Sequence, residues 1–102
     1  MIDLSKRIEN LYEIKLADKT ILKIKKPTQA LLIELTNLQD MVDKDNIKGL
    51  LEQFNKLVTR IFNRNTNGRV FTEEEIADMI DIDIANEIIQ DYLTFTFNQL
   101  GE

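Results

Sequence analysis

The chain has 102 residues, 43% of them hydrophobic and 30% charged, with a net charge of −5 and neither cysteine nor histidine. That length suits one domain, because two cores would leave each half near the size at which folding alone is marginal. The composition is that of a globular chain and does not suggest disorder, and the missing residue types exclude disulfides, thiolate zinc sites, cysteine nucleophiles and the commonest general base.

No apolar run, Leu31 to Ile33 among them, approaches the ~18 to 20 residues of a membrane-spanning helix, so no membrane association is expected. The first ten residues, MIDLSKRIEN, carry charges where a secretory signal has its apolar stretch. The expected location is therefore cytoplasmic. The charge is unevenly spread. Residues 1–71 hold all 13 Lys and Arg against 9 Asp and Glu, a balance of +4, whereas residues 72–102 hold 9 acidic residues and no basic one, a balance of −9. An acidic end of this kind is either a solvated face that aids solubility or a steering surface for a basic partner or for the basic end of a second copy.

In chain order, Leu4, Ile8 and Leu11 fall at i, i+4 and i+7, which suits a short helix or an ordered arm over 1–11. From Tyr12 the period changes to 2: Tyr12, Ile14 and Leu16 alternate with Glu13 and Lys15, and Leu22 and Ile24 flank Lys23. This predicts a β-hairpin over 12–25. Both apolar sets share a face only if Ile14 pairs with Leu22 and Tyr12 with Ile24. The loop is then Ala17, Asp18 and Lys19, with Lys19 in the left-handed position that glycine favours. Pro27 ends the strand and Thr28 caps the first helix, whose apolar face is Leu31, Leu35, Leu38 and Val42, widened by Leu32 and Met41.

The polar cluster Asp43 to Asn46 interrupts the pattern. A second helix follows, with Ile47, Leu50, Leu51, Phe54, Leu57, Val58, Ile61 and Phe62 at steps of three and four, and Asn67–Gly68 marks the turn after it. The stretch FTEEEI then combines a Thr72 cap, Glu75 three residues on, and Phe71 and Ile76 placed as a hydrophobic staple, so a third helix starts at Glu73. It is short, because Asp81 and Asp83 form another capping signal. A fourth helix runs from about Ile84 to Leu100 and is apolar nearly all round. Such a helix is either central to the core or carries a second, adhesive face. Its aromatics make Tyr92, Phe95, Phe97 and, at its end, Leu100 the candidate partner-binding residues. The expected architecture is α+β and mostly helical: one domain over 1–102, with the hairpin packed on about four helices in residues 28–100.

The patterns that could carry chemistry have simpler explanations. Glu73, Glu74, Glu75 and Asp78 form the one dense carboxylate cluster, and capping and the helix dipole account for it. Asp81, Asp83, Asn86 and Glu87 lack the glycine turn and spacing of a calcium-binding loop. The glycines at 49, 68 and 101 stand alone, so no nucleotide-binding loop is present. Lys23, Lys25 and Lys26 form a basic run without interleaved aromatics, which suits protection of a strand edge better than binding of nucleic acid. A DNA-binding helix-turn-helix from the last two helices is disfavoured by their acidity. No enzymatic activity, cofactor or metal is therefore expected. The opposed charges of Lys23, Lys25 and Lys26 against Asp81 and Asp83 nominate these residues for self-association into a homo-oligomer, either by lysine-rich hairpins meeting acidic helices or through hairpin edges.

The hairpin YEIKLADKTILKIKKPTQ, the helix ALLIELTNLQDMV, the capped FTEEEIADMI and a closing helix with Glu87, Ile88, Tyr92 and Phe95 resemble, from about Tyr12 to Leu100, the tail assembly chaperones of long-tailed phages and prophages. Members commonly carry Gly in the hairpin turn where this chain has Lys19. The resemblance implies a non-enzymatic assembly factor of the host cytoplasm, not retained in the mature virion. It would bind and solubilise the tape measure protein and help recruit tail tube subunits. On that view, replacing Phe95 and Phe97 with serine should abolish solubilisation while sparing the fold. The alternative is a generic phage or bacterial interaction module, an adaptor or regulator, serving another partner.

Overall fold

Two short strands open the described part of the chain. β1 (Tyr12–Lys15) and β2 (Ile21–Ile24) pair antiparallel, with Tyr12 opposite Ile24 and Ile14 opposite Leu22. This is the register that places both apolar sets on one face. Leu22 and Ile24 are buried, and Tyr12, Ile14 and Leu16 are half-buried against the same core. The computed structural model describes residues 11–40 and 47–100, and the side chains of all of them except 39, 40, 99 and 100. The expected arm over 1–11, apart from half-buried Leu11, lies outside the described residues, as do Met41, Val42 and the break at Asp43 to Asn46.

The loop follows the expected form. The Lys19 amide donates to the Leu16 carbonyl at 2.9 Å, and Lys19 has φ 72°. The Thr20 amide donates to Asp18 Oδ1 at 3.0 Å, and this bond is the main cause holding the exposed Asp18 carboxyl below its usual range. A side chain in the left-handed region is strained, and that strain exceeds the extra freedom glycine brings to the unfolded chain. Lys19→Gly is therefore expected to stabilise the protein by about 0.5 kcal/mol, read as a higher midpoint in urea unfolding.

β2 does not end in solvent. The segment after the second helix runs along its outer edge, with the Lys25 amide donating to Arg64 O at 3.1 Å and the Thr66 amide to Lys23 O at 2.8 Å. Asn67 completes the seal: its Oδ1 accepts from the Lys23 amide and its Nδ2 donates to Ile21 O. Alternate asparagines hold this segment in shape by standing in for backbone groups. Asn65 donates to Phe62 O and Arg69 O while accepting from the amides of Asn67 and Arg69. Asn63 exchanges a pair of bonds with the backbone of Phe71. Gly68, with φ 80°, supplies the turn.

The helices are α1 (Gln29–Asp40), α2 (Ile47–Phe62), α3 (Glu73–Met79) and α4 (Ile82–Leu100). α1 starts where expected, as Thr28 Oγ1 accepts from the Leu31 amide at 3.2 Å. It buries Leu31, Leu35 and Leu38. α2 has the broadest apolar stripe and is the hub, packing on α1, α3, α4 and β2. Thr59 is tolerated inside because its hydroxyl donates back to the Asn55 carbonyl at 2.7 Å. The Arg60 guanidinium pairs with Glu34 between α2 and α1.

In α3 the Glu75 amide donates to Thr72 Oγ1 at 3.1 Å, and Phe71 and Ile76 are both buried. The Glu75 carboxylate meets the Thr72 hydroxyl rather than reaching the Thr72 amide, so one half of the expected reciprocal cap forms. α4 begins two residues earlier than its spacing predicts. Asp81 is the cap, its Oδ1 accepting from the Ile84 amide at 2.9 Å. The fold is α+β and mostly helical, an N-terminal hairpin packed on four helices. Among the described residues no helix is long and apolar enough to cross a membrane.

Candidate partner-binding surfaces

The residues singled out on α4 divide between core and surface. Tyr92 is fully buried, its hydroxyl donating to the Lys25 carbonyl and its ring lying 5.4 Å from that of Tyr12. It joins α4 to the hairpin and presents nothing to a partner, which corrects its expected place in a binding face. Phe95 is half-buried with its ring 5.5 Å from Tyr12. It is part support and part surface, so Phe95→Ser is expected to cost stability as well as surface. Phe97 is 50% exposed and is the surface aromatic of the set. Leu100 closes α4, and its side chain lies outside the described ones.

The charged candidates lie on separate elements. Lys23 and Lys25 are exposed and Lys26 half-buried, while Asp83 is exposed in the first turn of α4. Asp81 is engaged as the α4 cap. Among the described residues the ion pair formed is Arg60 with Glu34, and none of these five pairs with an opposite charge there.

Both tyrosines are tuned by the same contacts. Burial raises the Tyr12 hydroxyl far above its ordinary value of 10.0, and its 2.5 Å bond to Asp91 and the charge of Glu87 add to this. Tyr92 is pushed up to about 12, by burial first, against a partial offset from Arg64. The neutral phenols therefore favour the fold. Their contribution is fully present below pH 10, where the unfolded chain also keeps its protons, and is lost as pH rises through about 12 for Tyr92 and higher still for Tyr12. A tyrosinate absorbance titration should show no ionisation at pH 10 in the native protein and ordinary ionisation in urea. Normal titration of both tyrosines in the native state would contradict their burial.

The concave surface that spacing did not single out is a groove of about 330 Å³ where α2, α3 and α4 meet. Its floor is Phe54, Ile76, Ile80 and Ala85, and Leu51 and Ile82 stand at its sides, 43% and 37% exposed. Ile47, one turn before Leu51 on α2, continues the apolar strip and is 61% exposed. The charged residues that line the groove, Glu52 and Asp81, are both acidic. The Asn55 side chain holds the two sides together by donating to Glu73 O at 2.8 Å. The sequence signal was the width of the α2 stripe, which holds more apolar positions than its neighbours cover.

A second concavity of about 270 Å³ lies between β1 and α4, beside Tyr12 and Ile14, with Ile84, Ile88, Glu87 and Asp91 on the helix side. Among the described residues no group of three or more acidic side chains is arranged to hold a metal ion. Comparison of the chain with models of protein families, with curated proteins and with solved structures finds no match in any of the three.

Proposed function

We propose that this protein is a small non-enzymatic assembly chaperone of the kind that serves long-tailed phages, acting in the host cytoplasm. It holds apolar helical segments of a tape measure protein and keeps them soluble until tail tube subunits assemble around them. The observation that carries this reading is the α2–α3–α4 groove, whose apolar floor is lined by acidic and no basic residues. An amphipathic helix places apolar side chains at i, i+3, i+4 and i+7 into such a groove, and its flanking lysines or arginines meet the acidic rim. The resemblance of the hairpin, the capped third helix and the aromatic fourth helix to the tail chaperones supplies the identity of the client. The −9 balance of residues 72–102 keeps a chain with such a strip soluble.

The test is co-expression with a tape measure protein of a long-tailed phage. The client is expected to move from the insoluble to the soluble fraction and to co-purify with the chaperone. A folded, soluble partner that leaves the client insoluble overturns the tail reading and favours an adaptor or regulator serving a different helix.

A further inference from the structure

The two edges of the hairpin are treated differently. On the outer edge of β2 the Ile21 carbonyl and both backbone groups of Lys23, with the Lys25 amide just beyond, are bonded by the 64–67 segment. On β1 the Leu16 amide bonds to Thr20 O at 2.8 Å, so by the antiparallel alternation Tyr12, Ile14 and Leu16 face β2. The amides and carbonyls of Glu13 and Lys15 then point away from it. Among the described residues nothing pairs with them. A two-stranded ribbon with one sealed and one open edge is extended most readily by another strand.

From this edge we infer that the protein forms a two-fold dimer in which β1 pairs antiparallel with β1 of a second copy, centred on Ile14. The charges select this register. Within β1 (Tyr12–Lys15) the outward groups pair with one another only when Glu13 faces Glu13, Lys15 faces Lys15, or each Glu13 faces the partner's Lys15. The first two set like charges opposite each other, which is unfavourable. The third makes two opposite-charge pairs and engages all four outward groups of each strand segment.

The result is a continuous four-stranded sheet, β2–β1–β1–β2, with the helices of both copies on one side. The groove beside the edge fits this arrangement. It is floored by Ile84 and Ile88, and Ile84 is 44% exposed in the single chain. The incoming strand brings a second Ile14 over that floor and covers it. The contact uses neither the lysines of the β2 side nor Asp81 and Asp83, and it does not depend on which client the larger groove takes.

Sedimentation equilibrium of the full chain is expected to give a mass approaching twice 11.9 kDa as concentration rises. Amide exchange should slow at Glu13 and Lys15 over the same range. Glu13→Lys alone and Lys15→Glu alone should each weaken the dimer by about tenfold, and the two together should restore it. Glu13→Pro should abolish it while leaving the hairpin intact, because that amide takes no part in the β1–β2 ladder. Ile84→Glu, on the floor of the groove, should also produce a monomer of unchanged helicity.

A monomer at every concentration overturns the inference, including a monomer whose Glu13 and Lys15 amides are protected, which would mean the edge is covered from within the chain. A dimer indifferent to Glu13→Pro, or a double charge swap that fails to restore what the single changes lose, overturns it equally.

Discussion

Tyr92→Ala is expected to lower the unfolding free energy by about 3 to 5 kcal/mol, a large share of the roughly 5 to 15 kcal/mol that holds a domain of this kind. The ring is fully buried, and the cavity left behind would lie between α4 and the hairpin. The same change removes the hydroxyl that bonds the Lys25 carbonyl, the point at which β2 leaves the sheet. Two controls separate these contributions. Tyr92→Phe keeps the ring and loses the bond, for about 1 kcal/mol. Phe97→Ala, at an exposed position on the same helix, is expected to stay within about 0.5 kcal/mol. Urea unfolding followed by circular dichroism gives all three values. Equal losses for Tyr92→Ala and Phe97→Ala would show that α4 does not dock through Tyr92.

The second large effect concerns the groove. Leu51→Glu places a carboxylate among Phe54, Ile76 and Ile80 at a site already 43% exposed, so the free protein should keep its stability. Client affinity should fall by about thirtyfold or more, as for the loss of a central apolar anchor, and the client should return to the insoluble fraction in co-expression. Glu52→Lys tests the rim separately. It should slow capture of a basic client and reduce the dependence of that capture on salt, without disturbing the floor. Phe97→Ser should leave solubilisation intact. If Phe97→Ser abolishes it and Leu51→Glu does not, the client site lies on the far flank of α4 and not in the groove.

The elements were legible wherever a short stretch of chain carries its own reasons. The hairpin register follows from the alternation around Tyr12, Ile14, Leu22 and Ile24, since a slip by one residue would turn an apolar set to solvent. Lys19 falls at positive φ because the three-residue loop requires it. Thr28 and Thr72 cap because each stands just before an apolar period with no other acceptor for the first helical amides. The start of α4 shifted by two residues because two aspartates offered themselves and local sequence does not choose between them. Asp81 caps, and Asp83 falls inside the first turn.

The candidate site was less legible. Tyr92, Phe95 and Phe97 share one helix and one composition, yet they end respectively in the core, half-buried and exposed. Which of them remains free depends on Tyr12, whose bond to Asp91 spans 79 residues of chain, and no periodicity records that. Asn67 reads as a turn residue beside Gly68, and Asn63 and Asn65 precede it in the same stretch. Their side chains also fasten the segment that closes the β2 edge.

By itself the sequence determined the class of fold, the register of the hairpin and the starts of three helices. These rest on local hydrogen bonds and on the two periods, 2 and 3.6, that a chain segment expresses before it meets any other. Only the tertiary structure decided which strand edge is sealed, which aromatic is core, and which part of the wide α2 stripe stays uncovered to form a groove. Burial belongs to pairs of distant segments: an apolar side chain records that it prefers cover, and the packing of the other elements decides whether it receives it.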